Sequence, residues 1–366
     1  MECCPPKPKS PKAFGTPKAT SCCPPPAEAA SAPKATTSEW ALCDRYGAVM
    51  ARLSNRFRMN YSIEPGLYSI GTPSKDSHVF VTANYKLSFD VLRRELKGIN
   101  AHILVLDTKG INVWCAAGKG TFGTEELVTR IFKARLGSHV SHGKIIVPLL
   151  GAPGVAAHEV KRQTGFHVIY GPANARDIKA FIDNNMKTTP KMRVPDFGYV
   201  DRLVLTPMEF IPALKTLPYV AAFLFIIAGI GEKGFLYADA TDALPLVILS
   251  LATIFTGALI TPVILPLVPI RSFALKGLIT GILATFGVLY ISGISAAENT
   301  ALTVFAYAFF PAVSSYLALQ FTGATAYTNK SGVAKELKYA LPLYKAAIAV
   351  SALSLITHIA TKGGTL

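Results

Sequence analysis

Ala101-His102-Ile103-Leu104-Val105-Leu106, followed at once by Gly110-Ile111-Asn112-Val113-Trp114-Cys115-Ala116-Ala117-Gly118-Lys119-Gly120, decides how this chain folds. Six residues, five of them apolar and bounded by polar segments, read as a strand buried on both faces, the kind found in parallel sheets. The small-residue stretch after it reads as a turn that leaves one cysteine at the carboxyl end of that strand.

The neighbouring sequence repeats the alternation. His78 to Thr82, Lys144 to Val147 and His167 to Tyr170 are expected strands. Ser88 to Leu96, Thr124 to Leu136, Val155 to Gln163 and Ala173 to Asn184 are expected helices, with Thr124 as an N-cap before Glu125 and Glu126. Strand and helix in turn imply an α/β, Rossmann-like, doubly wound and mostly parallel sheet over residues 41–190, whose ligand site lies beyond the strands' carboxyl ends.

Two other regions flank it. Residues 1–40 are rich in Pro, Lys, Ala, Ser and Thr and too poor in large apolar side chains to offset chain entropy, so they are expected to be a disordered arm. The arm has no continuous apolar core of a secretory signal, which keeps the following domain in the cytoplasm. After Pro190-Lys191-Met192-Arg193-Val194-Pro195 a linker over 191–216 leads to an all-α transmembrane domain over 217–366. About five spans are expected there, near 217–236, 244–268, 273–295, 301–323 and 341–360. Gly257, Gly277, Gly281 and Gly287 would permit close helix contacts within it.

Of the 366 residues 51% are hydrophobic, and 37 Lys and Arg against 22 Asp and Glu give a net charge of +15. No basic motif interleaved with aromatics accompanies that charge, so nucleic acid is not expected as a partner. Arg271 and Lys276, and Lys330, Lys335 and Lys338, fall in alternate loops. That asymmetry places them, with the N-terminal domain, on the cytoplasmic side of a multi-pass protein of the cell membrane.

Six cysteines occur, none in a C-x-x-C pair, and in a cytoplasmic chain they read as thiols. A lone Cys115 suits a buried structural role, or a metal that brings its own ligands, such as the cobalt of a corrinoid. The histidine-ligated corrinoid motif D-x-H-x-x-G is absent, and Gly137-Ser138-His139-Val140-Ser141-His142-Gly143 reads as a turn.

The segment Asn112-Val113-Trp114-Cys115-Ala116-Ala117-Gly118-Lys119 resembles the cap-helix signature of the HgcA family of mercury-methylating corrinoid proteins. Tyr61 to Tyr68, Val81 to Asp90, Leu150 to Val160 and the helical membrane region are similar to that family as well. The resemblance implies a corrinoid (cobalamin) cofactor whose cobalt takes the sulfur of Cys115 as axial ligand, and transfer of a methyl group to Hg(II) to give methylmercury. It also implies a ferredoxin-like partner with two 4Fe–4S clusters as reductant (HgcB type) and a methyl-tetrahydrofolate-linked methyl donor protein, at a membrane lipid surface.

Around Cys115, Asn112 is expected to cap the turn, and Trp114 to pack on the ring edge or fill the core. Val113, Ala116, Ala117, Gly118 and Gly120 let backbone approach a flat ring, and Lys119 contacts a corrin amide or tail phosphate or is solvated. Gly151, Ala152 and Gly154 open a helix that faces the corrin tail or merely turn the chain, and Thr82, Asn84 and Tyr85 end a strand on the same rim. On the arm, Cys3, Cys4, Cys22 and Cys23 capture Hg(II) or are incidental. The alternative function is a methyl carrier of one-carbon (acetyl-CoA pathway) metabolism with mercury as adventitious acceptor.

Overall fold

A computed structural model describes residues 32–228, 230–231, 234–235, 240–293, 300–324, 328 and 330–362. The chain divides into two compact units, Met1–Asp196 and Phe197–Leu366, each taken by itself.

The first unit is built on a six-stranded sheet of β1 (Lys34–Thr36), β2 (Gly66–Ile70), β3 (His78–Ala83), β4 (Ala101–Leu106), β5 (Lys144–Val147) and β6 (His167–Tyr170). Their order is β1-β2-β4-β3-β5-β6. From β4 to β6 every pairing is parallel, β3 against β4 in the register Phe80↔Ile103 and β5 against β6 in the register Ile146↔Ile169. β2 runs antiparallel to β4, so the sheet is mixed. β4 lies on one side of β3 and β5 on the other, so the chain reverses its winding direction at β3, and beside such a reversal crossover helices leave a crevice above the strand ends.

Both faces are covered. Val79, Val81, Leu104, Leu106, Ile145 and Val147 pack against α4 (Val113–Lys119), α5 (Thr124–Lys133), α6 (Leu136–His139) and α7 (Ala157–Thr164). Phe80, Ile103, Val105 and Ile146 pack against α3 (Lys86–Glu95) and α8 (Ile178–Asp183), which is the alternation a pleated strand imposes.

Several boundaries differ from the sequence reading. Residues 34–40 do not belong to an arm. Lys34–Thr36 pairs with β2, Trp40 Nε1 donates to Asp90 O at 2.8 Å, and Arg93 donates to the carbonyls of Thr37 and Glu39 at 2.7 and 2.8 Å. Gly123, not Thr124, is the N-cap of α5, because the Thr124 hydroxyl accepts from Ala156 N–H at 2.9 Å instead. Residues 137–139 lie in the short helix α6 and not in an open turn. Cys3, Cys4, Cys22 and Cys23 lie outside the described residues.

Before α3 come α1 (Leu42–Leu53) and α2 (Asn55–Asn60). A buried ion cluster holds α1 to α3. Asp44 accepts from Lys86 and Arg93, each at 2.7 Å, and Asp90 accepts from the same two cations at 2.6 and 2.8 Å. Burial pushes the Asp44 carboxyl up, but the bonds from Lys86, Arg93 and Ala41 N–H outweigh it and hold it below the ordinary 3.8. Burial likewise opposes the charge of Lys86, and its two carboxylate partners outweigh that, raising it above 10.5.

The amino ends of the parallel strands collect imidazoles. His102 is buried, its ring centroid is 6.4 Å from that of His139, and His142 Nε2 lies 2.9 Å from Ser77 O. Asp76, His78, His142 and Lys144 line a shallow cleft there of about 220 Å³. Burial and the neighbouring His142 and Lys144 hold His78 below its ordinary value.

The second unit is helical: α9 (Tyr199–Leu205), α10 (Pro207–Ala228), α11 (Ala240–Phe255), a π-helical stretch Thr256–Ile260, α12 (Thr261–Val263), α13 (Phe273–Ile291), α14 (Thr300–Gln320) and α15 (Lys330–Lys362). Among the described residues five helical stretches are long and apolar enough to cross a membrane: Tyr199–Ile226, Leu244–Val263, Phe273–Ile291, Thr300–Gly323 and Ser331–Thr361. The expected linker at 191–216 is therefore mostly helix, and the first span begins eighteen residues before the expected 217. Pro212 and Pro218 are carried inside α10.

Close approach of helices centres on Ser314. A Cβ at Gly257 or Gly277 would come within 2.7 or 2.8 Å of its carbonyl oxygen, and one at Gly281 within 2.7 Å of its Cβ. Gly287 meets nothing within 4 Å and takes no part.

Replacing Arg93 with Leu should destabilise the first unit by about 3 kcal/mol or more, because two buried carboxylates then each lose one of their two cations and share Lys86 alone. The pH dependence follows from the shifts. The Asp44 contribution is present above its ordinary 3.8 and lost as acid titrates through the lower folded value, while that of Lys86 is present below 10.5 and lost as base titrates through the higher one. Denaturant midpoints across pH, compared with those of R93L, check both limbs.

Candidate functional site

Three loops meet above the carboxyl ends of β3, β4 and β5: residues 84–85, 107–112 and 148–156. Asn84 binds the first to the second. Its Oδ1 accepts from Thr108 N–H at 3.1 Å, Thr108 Oγ1 at 2.9 Å and Gly110 N–H at 2.9 Å. Thr108 Oγ1 also lies 2.6 Å from Ile111 O. Lys109 and Gly110 both stand in the left-handed region, at φ 60° and 73°, a conformation a lysine adopts only when its surroundings impose it. Asp107 adds to the constraint by accepting from Lys109 N–H at 3.1 Å.

That loop ends in a helix. Asn112 Oδ1 accepts from Cys115 N–H at 2.9 Å, and Gly120, at φ 81°, closes α4 in the left-handed conformation. Cys115 therefore sits in the first turn of α4 and not on a turn after the strand, as the sequence reading had it. Asn112 and Gly120 are respectively a good N-cap and a good C-terminal stop, so the signal for a seven-residue helix was present.

The helix has two faces. Ala116 and Ala117 are buried, and Val113 packs on the same core. Cys115 and Trp114 are half-buried, and Gly118, Lys119 and Gly120 are exposed. Trp114 takes no part in the core cluster, which leaves its ring on the rim.

The third loop is not a helix opening, as expected, but a separate 3-10 turn, Leu149–Gly154, with α7 starting at Ala157. A Cβ on Gly151 would run into the ring of the buried Phe122, and one on Gly154 into the Phe122 carbonyl and Ala117 Cα. The two glycines thus serve the close contact of this turn with α4 and its exit, and Ala152 lies between them, half-buried. Thr82 and Tyr85 are buried, as is Asn84, whose acceptor oxygen is fully engaged by the loop. Sequence reasoning placed Asn84 on the rim but did not see Thr108 or Phe122, which hold the site's shape. Among the described residues no three His, Cys, Asp or Glu side chains gather to hold a bare metal ion.

Residues 52–182, which contain all of this, match the model of the CO dehydrogenase/acetyl-CoA synthase delta subunit. The N-terminal unit is similar in sequence to proteins named as acetyl-CoA decarbonylase/synthase and corrinoid/iron-sulfur subunits. It is 30% identical over 145 residues to the acetyl-CoA decarbonylase/synthase complex subunit gamma of Archaeoglobus fulgidus, covering 37% of this chain and 30% of that one. Identity is 32% over 126 residues with the corrinoid/iron-sulfur protein large subunit of Moorella thermoacetica, 34% of this chain and 28% of that one. With the gamma subunit of Methanocaldococcus jannaschii it is 29% over 130 residues, 35% and 26% of the two chains. This chain spans under a third of the length of these relatives.

Asn84→Ala should remove the acceptor of Gly110 N–H and one of the two acceptors of both Thr108 N–H and Thr108 Oγ1, and cost about 1–3 kcal/mol. Alkylation of Cys115 should then quicken relative to Cys43, since the loop that carries α4 loses its clasp. Equal rates in N84A and the parent, measured by mass spectrometry, would count against the clasp.

Proposed function

We propose that the N-terminal unit binds a corrinoid through Cys115 and that the protein transfers a methyl group to Hg(II), forming methylmercury. When bound, the corrinoid supplies a cobalt centre able to carry a methyl group between donor and acceptor.

The observation that carries the corrinoid reading is the placement of one half-buried thiol in the first turn of α4, on the rim where three loops meet. The residues present fit such a group. A metal held by Cys115 must arrive with other ligands, since no set of three protein donors surrounds it among the described residues. Gly118 and Gly120 carry no bulk, and Trp114 offers a partly exposed aromatic face to a large flat ring. Cys115 would supply a sulfur ligand to the cofactor's metal, its position fixed by the Asn112 cap and the Asn84 clasp. Lys119, exposed at the end of α4, is placed for an anionic or amide-bearing part of the cofactor.

Mercury as acceptor rests on the resemblance of Asn112 to Lys119 and the segments around it to the HgcA family. A thiolate donor on cobalt favours release of methyl as a carbanion equivalent, the polarity that a soft Hg(II) requires. The relatives' names favour a second reading, a methyl carrier of one-carbon metabolism. On the resemblance to the HgcA family, reductant would come from a ferredoxin-like protein with two 4Fe–4S clusters and methyl from a methyl-tetrahydrofolate-linked donor protein. The helical unit anchors the protein in the cell membrane with the corrinoid domain in the cytoplasm. Cys3, Cys4, Cys22 and Cys23 would collect Hg(II) and pass it by thiol exchange toward the methyl group that the corrinoid would carry.

Anaerobically purified protein should contain cobalt and show a corrinoid spectrum that changes on Cys115→Ala but not on Cys43→Ala. Methylation of Hg(II) should be lost in C115A alone. Corrinoid bound normally, with methyl transfer to a one-carbon acceptor and none to Hg(II), would favour the carrier.

Reporter fusions at residues 240 and 334 should report opposite sides of the membrane, 334 being cytoplasmic. The same side for both would rule out five crossings.

A further inference from the structure

Helix α1 is built inside out. Its buried residues are Asp44, Gly47, Ala48 and Ala51, and its large apolar residues face solvent. Leu42, Tyr46, Val49 and Leu53 are 83%, 64%, 54% and 40% exposed, and their spacing of four, three and four residues lines them along one face, opposite the buried one. Met59, in α2, is 67% exposed.

The charges beside this stripe have one sign. Arg45 and Arg56 are exposed, Arg52 and Arg58 are partly so, and the single acid of α1, Asp44, is turned inward onto Lys86 and Arg93. A continuous apolar line bordered by arginines, with no outward carboxylate on the helix, is the chemistry of a helix lying in an anionic lipid surface.

We propose that the outward face of α1 rests in the headgroup region of an anionic bilayer, the one the chain's own apolar helices enter. The chain length points to this occupant over a protein. The first unit ends at Asp196 and the first helix long enough to cross a membrane begins at Tyr199, with only Phe197 and Gly198 between. Lipid is therefore always within reach of the domain, and even a weak surface affinity acts at high effective concentration. The proposal rests on membrane association of the helical unit and is independent of the corrinoid reading.

The test uses the full chain in lipid nanodiscs whose acyl chains carry bromine, made of phosphatidylcholine with or without phosphatidylglycerol. Tyr46→Trp, made in a chain whose own Trp40 and Trp114 are replaced by Phe, places a single reporter on the stripe, and Phe132→Trp in the same background, at a position 59% exposed on α5, serves as control. The tryptophan of Y46W should lose emission to bromine in discs containing phosphatidylglycerol, and that of F132W should not. Adding Arg45→Glu and Arg56→Glu to Y46W should restore the emission, with circular dichroism showing each variant folded.

Equal quenching in Y46W and F132W, or quenching of Y46W that ignores phosphatidylglycerol, overturns the proposal. So does a blue-shifted but unquenched Y46W emission, which would mean that a protein or a second copy covers the stripe. Failure of the parent chain to enter discs at all would overturn membrane association and this proposal together, whereas entry without quenching overturns this proposal alone.

Discussion

The ion cluster of Asp44, Lys86, Asp90 and Arg93 is the constraint on which the amino-terminal half of the first unit depends. Helices usually dock through apolar side chains, and α1 docks through a carboxylate and three small residues. Arg93 alone reaches two carboxylates and two backbone carbonyls, which ties residues 37–44 to α3. Because charge supplies the attachment, the large apolar residues of α1 are not needed inside. The same cluster sits at the base of the loop after β3: Tyr61, whose hydroxyl lies 3.4 Å from Asp90 and is pushed up to about 12 chiefly by burial, receives Lys86 N–H on its carbonyl at 3.0 Å.

From that base the architecture passes to the rim through backbone and not through catalytic side chains. Asn84 joins two loops, Asn112 starts α4, and Phe122 with two glycines closes the turn after β5 against it. None of these groups is reactive. Their combined effect is to hold one sulfur, half-exposed, on a short helix whose other outward residues are Trp114, two glycines and a solvated lysine.

Much of this was legible in sequence where the signal was a run of apolar residues. β4, β5 and β6 fall where expected, and β3 ends one residue later, because a strand buried on both faces needs an unbroken apolar stretch. β1 escaped because Lys34-Ala35-Thr36 has no such run and is held by pairing and by Arg93 contacts from far along the chain. The early start of the helical unit was not legible because Asp201, Arg202, Glu209 and Lys215 interrupt the apolar run before residue 217, while Pro212 and Pro218 are tolerated inside the long apolar helix α10. In the site, position was readable and mechanism was not. Cys115 could be placed after β4, but the bond network of Asn84 with Thr108 depends on two loops meeting in space. The outward turn of α1 had no local signal at all, since the spacing of Leu42, Tyr46, Val49 and Leu53 reads as a core face.

The collection of imidazoles at the amino ends of the strands also divides the sheet chemically. His102 stands near the start of β4 and Leu106 at its end, a separation of about 13 Å at the rise of an extended chain. Burial holds both His78 and His102 below their ordinary values, so these two rings resist taking up charge in mild acid. They serve there as neutral polar groups at the strand starts, the length of the sheet away from the sulfur.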